Sequence, residues 1–303
     1  MRMPEAIVDS HHHLWDLSRP GYGWLQEAYD PGAFLLGEYR PICRDFLPQD
    51  FRQAWGGVPV RATVHVEAEC DRHLGLAETA WLHEVQATTG MPSAVVAWVD
   101  LLADDADDRL AAQARYPLVR SIRFKPVTAR SADASVRGRP AALDDPRWPV
   151  ALRRLHGHGL AWDLRVPFWH LEEAAALVAK CPELPVVLQH TGLPWDRSAR
   201  GLEAWKRGLQ ALAACPSVEL RLSEFGLRDA PWNESENIAL VREAVAIFGW
   251  QRCMFASNFP VASLRVDYPS LVRMMATALQ DLPAHAQRAV WHDNACRFYR
   301  IDL

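Results

Sequence analysis

Two imidazoles, spaced one residue apart at the end of a short apolar run, are the first chemistry this chain offers. Ala6-Ile7-Val8 leads into Asp9-Ser10-His11-His12-His13. A strand sends alternate side chains to one face, so the spacing predicts Asp9, His11 and His13 on a common side at the strand's end. Neutral imidazoles placed together can grip a divalent cation or share a proton. A purification tag would be longer and flanked by Gly or Ser, not by an apolar run and Leu14-Trp15.

Further polar residues close later apolar runs: Glu67 and Glu69, Arg123 and Lys125, Asp163 and Arg165, His190, Arg221 and Ser223, and Asn258. Each alone has a plain structural account as a salt bridge at the rim of a fold. Their recurrence run after run points to convergence on one site. Arg123, Lys125, Arg165 and Arg221 suit a substrate bearing a carboxylate, because a guanidinium fork matches two carboxylate oxygens and can polarise a carbonyl. The competing account pairs them with Glu67, Glu69 and Asp163 in a structural network, and Arg123 is the member assigned to substrate.

The elements that must position these residues are eight apolar runs: 6–11, 62–67, 94–99, 119–124, 160–166, 185–190, 218–223 and 253–257. Between them lie stripes at helical spacing, such as Leu202, Trp205, Leu209 and Leu212, then Ile238, Val241, Val245 and Phe248, then Leu271, Met274, Met275 and Ala278. Asp145-Pro146 reads as an N-cap with proline at the first helical position. Alternation of this kind predicts an α/β chain folded as a closed (β/α)8 TIM barrel, one domain over residues 1–303. An open doubly wound sheet would show a Gly-rich phosphate loop after its first strand, and none is present. Residues 14–58 and 126–145 form long connections after strands one and four. They are expected to collar a substrate at the barrel's C-terminal face, with insertion or oligomer contact as the alternatives. Trp15, Trp24, Trp169, Trp195 and Trp232 fall in expected loops and either line a pocket or pack on the core; Trp195 is assigned to substrate.

Composition excludes several partners. Half of the 303 residues are hydrophobic and 23% charged, with a formal charge of −4 and no block of Lys or Arg. Phosphate binding needs clustered cations, so nucleic acid is not the expected partner. No run of eighteen apolar residues and no signal-peptide core occurs, which predicts a soluble cytoplasmic protein with no membrane partner and is compatible with a homo-oligomer. Six cysteines without CxxC spacing predict reduced, mostly buried thiols.

The motifs, taken in order, resemble the amidohydrolase superfamily, and within it the amidohydrolase-2 type of lactone hydrolase. That group includes sugar lactonases, sulfomuconolactone hydrolase and 2-pyrone-4,6-dicarboxylate hydrolase. The resemblance runs through Asp9-Ser10-His11-His12-His13-Leu14-Trp15-Asp16, Arg44-Asp45-Phe46-Leu47-Pro48, Ser121-Ile122-Arg123 and Leu188-Gln189-His190-Thr191-Gly192. It continues through Cys253-Met254-Phe255-Ala256-Ser257-Asn258-Phe259-Pro260-Val261 and Asn294-Ala295-Cys296-Arg297-Phe298-Tyr299. HxH by itself is a weak signal; six motifs in order are a strong one.

The resemblance implies a distorted TIM barrel whose site activates water against an ester or lactone carbonyl of a small anionic or sugar-derived molecule. His11 and His13 would be ligands of a divalent metal, Zn(II) above all, with His190, Glu67 or Glu69 completing the set. Otherwise they share a proton in the metal-independent branch. His190 would orient or deprotonate the water and Arg123 would hold substrate; no organic cofactor is implied. Two departures stand out. Asn258 replaces the Asp of much of the family; an amide is neither a useful proton acceptor nor as good a metal ligand, but Asn258 could still hydrogen-bond the water or substrate as a catalytic residue. Strand five carries Asp163 and Arg165 instead of a histidine. Two alternatives follow: non-oxidative decarboxylation of an aromatic or dienoic acid, and a non-catalytic carboxylate-binding barrel.

Overall fold

The computed structural model describes residues 3–303. Eight parallel strands follow one another round a single sheet in chain order: β1 (Ile7–His12), β2 (Val60–Val66), β3 (Ala94–Ala97), β4 (Val119–Ile122), β5 (Ala161–Leu164), β6 (Val186–Leu188), β7 (Val218–Leu222) and β8 (Cys253–Phe255). A bridge between His12 and Phe259 brings the first strand against the chain just beyond the last. The His13 amide donates to the Phe259 carbonyl at 2.8 Å, and the Asn258 amide to the His11 carbonyl at 2.8 Å. The arrangement is a (β/α)8 TIM barrel, and every expected run forms its strand.

These runs are apolar on both faces because parallel strands in a barrel are covered inside and out. Ten α-helices lie along the described residues: α1 (Pro48–Ala54), α2 (Gly75–Thr89), α3 (Ala106–Ala114), α4 (Trp148–Gly157), α5 (Leu171–Val178), α6 (Ala199–Ala213), α7 (Glu234–Phe248), α8 (Tyr268–Leu279), α9 (Ala284–Arg288) and α10 (Asn294–Tyr299). The hydroxyl of Ser198 and the side chains of Asn233 and Asp267 cap α6, α7 and α8 by accepting backbone N–H bonds. α7 stops at Gly249, whose φ of +77° suits a residue without Cβ. α5 and α6 approach closely because Gly208 faces Leu171, where a Cβ would lie 2.6 Å from the Leu171 Cβ.

The expected N-cap at Asp145 is not one. α4 begins at Trp148 with Pro149 in its first turn. The Asp145 carboxylate instead accepts from the Ala141 amide at 2.8 Å and the Arg147 amide at 3.0 Å, closing the loop that precedes the helix. That loop holds a small core of its own, Ala129, Val136 and Ala142. Inside the barrel Val8, Val64, Val66, Val96, Val187 and Met254 pack with Tyr299 of α10. Among the described residues no helix is long and apolar enough to cross a membrane.

Candidate active site

The strand ends open into a cavity of about 560 Å³. Its floor and sides carry His13, Glu69, Arg123, Lys125, Arg165, His190 and Asn258, so residues from seven of the expected positions meet around one space. Both long connections contribute walls. Trp15, Trp24, Phe34 and Tyr39 come from the first, and Thr128, Ala129 and Arg130 from the second. Trp169 and Trp195 complete an aromatic side, with ring centroids 5.7 Å apart, while Trp232 lies outside the cavity.

The imidazole pair forms as expected, without Asp9. A register shift between Asp9 and His12 interrupts the strand's alternation. The Asp9 carboxylate turns to the Ser257 amide at 2.9 Å and the Tyr268 hydroxyl of α8 at 3.0 Å. Burial raises its pKa to about 6. His11 and His13 meet through Nε2 atoms 3.2 Å apart. His12 points the other way and stacks on Phe51 with centroids 4.5 Å apart.

The partners of the pair decide its protons. His13 Nδ1 lies 2.7 Å from the Val66 carbonyl, which only accepts, so Nδ1 carries hydrogen and Nε2 a lone pair. His11 Nδ1 lies 3.1 Å from Arg221 Nη1, which only donates, so the hydrogen of His11 sits on Nε2. One complementary bond results, from His11 Nε2–H to His13 Nε2. Burial, reinforced by the neighbouring cations, holds both imidazoles neutral, well below the ordinary histidine pKa.

That arrangement does not fit a metal held by the expected set. Ligation through both Nε2 atoms needs two lone pairs, yet the guanidinium assigns the His11 Nε2 a proton. Metal-bound histidines ordinarily turn the other nitrogen to an acceptor. Glu67 is committed elsewhere: its carboxylate pairs with Arg123 Nε at 2.6 Å and Arg72 Nη1 at 3.2 Å. Among the described residues no group of three His, Cys, Asp or Glu side chains is placed to hold a metal ion.

The cations divide into structural and available members. Arg221, expected at the substrate, is fully buried beneath the cavity, bonded to Asp163, to the Tyr299 hydroxyl and to His11. It meets His11 Nδ1 from beneath and does not line the cavity. Arg123 stands at the cavity with Nε and Nη2 held by Glu67 and Glu69, and its Nη1 finds no partner among the described residues. Lys125 pairs with Glu69, and burial followed by the nearby Arg165 brings its pKa down to about 7. Arg165 has neither an ion pair nor a hydrogen bond among the described residues. Burial, then Arg123, lowers its pKa to about 10, which leaves it cationic.

His190 stands beside the first pair, its ring centroid 4.7 Å from that of His11. Its Nδ1 meets the Ser223 hydroxyl at 3.0 Å. Burial first, then Arg165, Arg123 and Arg221, keeps it neutral well below the ordinary histidine range. Left-handed φ values gather at these strand ends: Glu69 (+56°), His190 (+57°), Thr191 (+54°), Glu224 (+56°) and Asn258 (+56°). Side chains disfavour this region, and such strain concentrates where geometry serves function. Sequence reasoning missed Glu224, whose carboxylate receives the Asn258 carboxamide. The available signal was its position next to Ser223.

A family model described as "Amidohydrolase" matches residues 8–301. An uncharacterized protein of Sinorhizobium fredii is 31% identical over 98% of this chain and 99% of its own length. An L-fucono-1,5-lactonase of Burkholderia ambifaria is 32% identical over 97% of this chain and 96% of its own. Among solved structures, an amidohydrolase from Burkholderia multivorans with bound zinc superposes with a TM-score of 0.80 at 25% identity, over 98% of this chain and 100% of that one.

Proposed function

Since the chain belongs to the amidohydrolase family and is a hydrolase, we propose that it opens a small lactone, sugar-derived or carboxylated, with a water activated at His190. The observation that carries this reading is the cavity's chemistry: a neutral imidazole beside an unpaired guanidinium, under aromatic walls. The lactonase named among its relatives supports the same class of bond.

The chain's own groups suffice for the steps. The water oxygen attacks the lactone carbonyl carbon, and its proton moves to His190 Nε2, available when the Ser223 hydroxyl accepts from Nδ1–H. Negative charge developing on the carbonyl oxygen is met by Arg165 and by the open Nη1 of Arg123. The ring C–O bond then breaks, and the same imidazolium returns its proton to the leaving alkoxide. The product is the open hydroxy acid. Three guanidiniums around His190 make its imidazolium a strong acid, which suits the second transfer. Trp169 and Trp195 give the ring of a sugar-derived lactone a flat apolar surface while its hydroxyls meet Lys125 and Glu69.

The test is acid release from a panel of sugar and carboxylated lactones, run beside aromatic and dienoic acids monitored for carbon dioxide. Acid release that falls by at least about 100-fold in His190→Ala is the expected result. Carbon dioxide without acid release would replace hydrolysis by decarboxylation. Tight carboxylate binding with no turnover would make the barrel a binding module.

A further inference from the structure

Strand eight delivers an amide to the cavity where a proton acceptor is wanted, and a carboxylate stands directly behind it. Asn258 lines the cavity and donates through Nδ2 to Glu224 Oε2. Its other end, Oδ1, is buried and finds no partner among the described residues. Glu224 itself is 3% exposed and takes no part in the cavity wall. Both residues hold φ at +56°, a conformation glycine adopts freely and side chains resist. A carboxylate kept buried at such a position is disfavoured by both desolvation and backbone strain. Among the described residues its carboxylate has one hydrogen-bond partner, the carboxamide of Asn258.

We infer that Glu224 is a positioning residue for the hydrolytic water: by holding Asn258 through Nδ2 it leaves the buried Oδ1, unpartnered among the described residues, as the acceptor of a water hydrogen. This rests on the lactonase reading above and deepens it. An amide offers a donor at one end and an acceptor at the other, and only its partner fixes which end faces inward. An ionised carboxylate can only accept, so it selects Nδ2. No proton is transferred to Glu224; the water's proton goes to His190 as described.

The state of Glu224 supports the same role. Burial raises its pKa to about 7, opposed by the Asn258 bond and by Arg165 and Arg265. Arg197, bonded to the neighbouring Phe225 carbonyl, is the other cation on this side. Once protonated, the carboxyl can donate to Oδ1 and turn the amide round. The acceptor is therefore presented on the alkaline side of that value. His190 titrates well below the ordinary histidine range; Lys125, brought down to about 7 at the same cavity, is the other group there, and loss of the limb in Glu224→Gln separates the two.

The experiment compares wild type with Glu224→Gly, Glu224→Gln and Asn258→Ala on the best lactone of the panel. Glu224→Gly suits the backbone, so its melting temperature should not drop, while kcat falls roughly 10- to 100-fold with KM little changed, as for other supports of reacting groups. Glu224→Gln can still accept from Nδ2, so it should keep most of kcat and lose the acid limb near pH 7. Unchanged kcat in Glu224→Gly, or an unshifted limb in Glu224→Gln, would overturn the assignment. A second readout needs no turnover. The 15N side-chain amide of Asn258, identified by its loss in Asn258→Ala, should show one downfield proton that moves as pH crosses about 7 and is absent in Glu224→Gly. If the panel gives no hydrolysis but this signal behaves so, the lactonase reading fails and the pairing stands; a signal indifferent to Glu224→Gly ends the pairing.

Discussion

A guanidinium next to an imidazole settles where a proton resides, and at this site that decides what the histidine pair can bind. Because Arg221 donates to His11 Nδ1, the pair is complete as one N–H···N bond. Zinc content after dialysis is accordingly expected to be substoichiometric, and hydrolysis to survive a strong chelator; metal analysis beside the assay checks both. Stoichiometric zinc with chelator-sensitive turnover would mean that His11 exchanges its tautomer on binding. The histidine between the pair follows different physics. His12 is buried against Phe51, and neither ring nitrogen has a partner among the described residues. Replacing a buried, unpaired polar ring by an apolar one removes a desolvation penalty, so His12→Phe should gain about 1 kcal/mol in urea unfolding at unchanged kcat. The HxH spacing alone suggested the pair. That Asp9 leaves it was not legible, because a register shift between Asp9 and His12 has no mark in alternating residue types.

Among the elements, the connection from β4 to α4 is held to the rim by two neighbouring side chains. His170 Nε2 accepts from the Ala129 amide at 2.9 Å, and Trp169 Nε1 donates to the Ala129 carbonyl at 3.2 Å. Glu173 fixes the His170 ring from behind at 2.8 Å. Ala129 and Arg130 line the cavity, so this clamp shapes the substrate wall without touching the reacting centre. His170→Ala should raise KM by roughly 10-fold, about the effect of one lost hydrogen bond, and speed proteolysis within 126–145, with kcat nearly retained. A fall in kcat alone would place His170 in the chemistry instead. Strands were legible because residues covered on both faces must be apolar, which is why the runs at 94–99 and 253–257 could be read directly. The helix start at Trp148 was not, since Asp145 serves equally well as a loop clasp.

The whole barrel is plugged from within by a charged network. Arg221 and Asp163 are fully buried, 58 residues apart in sequence, and the Tyr299 hydroxyl of α10 joins both. Sequence reasoning reached Arg221 but assigned it to substrate. Only the folded chain brings Tyr299 to it from 78 residues away. Asp163→Ala should leave a buried unpaired cation and lower unfolding stability by roughly 3–5 kcal/mol, whereas Tyr299→Phe removes one hydroxyl and should lower it by about 1–3 kcal/mol. Urea titration of both variants separates the two effects; equal losses would mean that the hydroxyl, not the charge pair, carries the network.

The seam between the first strand and the chain after the last has its own result in time. His11 and His13 leave the ribosome well before Asn258 and Phe259, whose backbone groups bond to that segment. The histidines are therefore fastened only once the segment after strand eight has emerged, and a nascent chain stopping before it should be inactive.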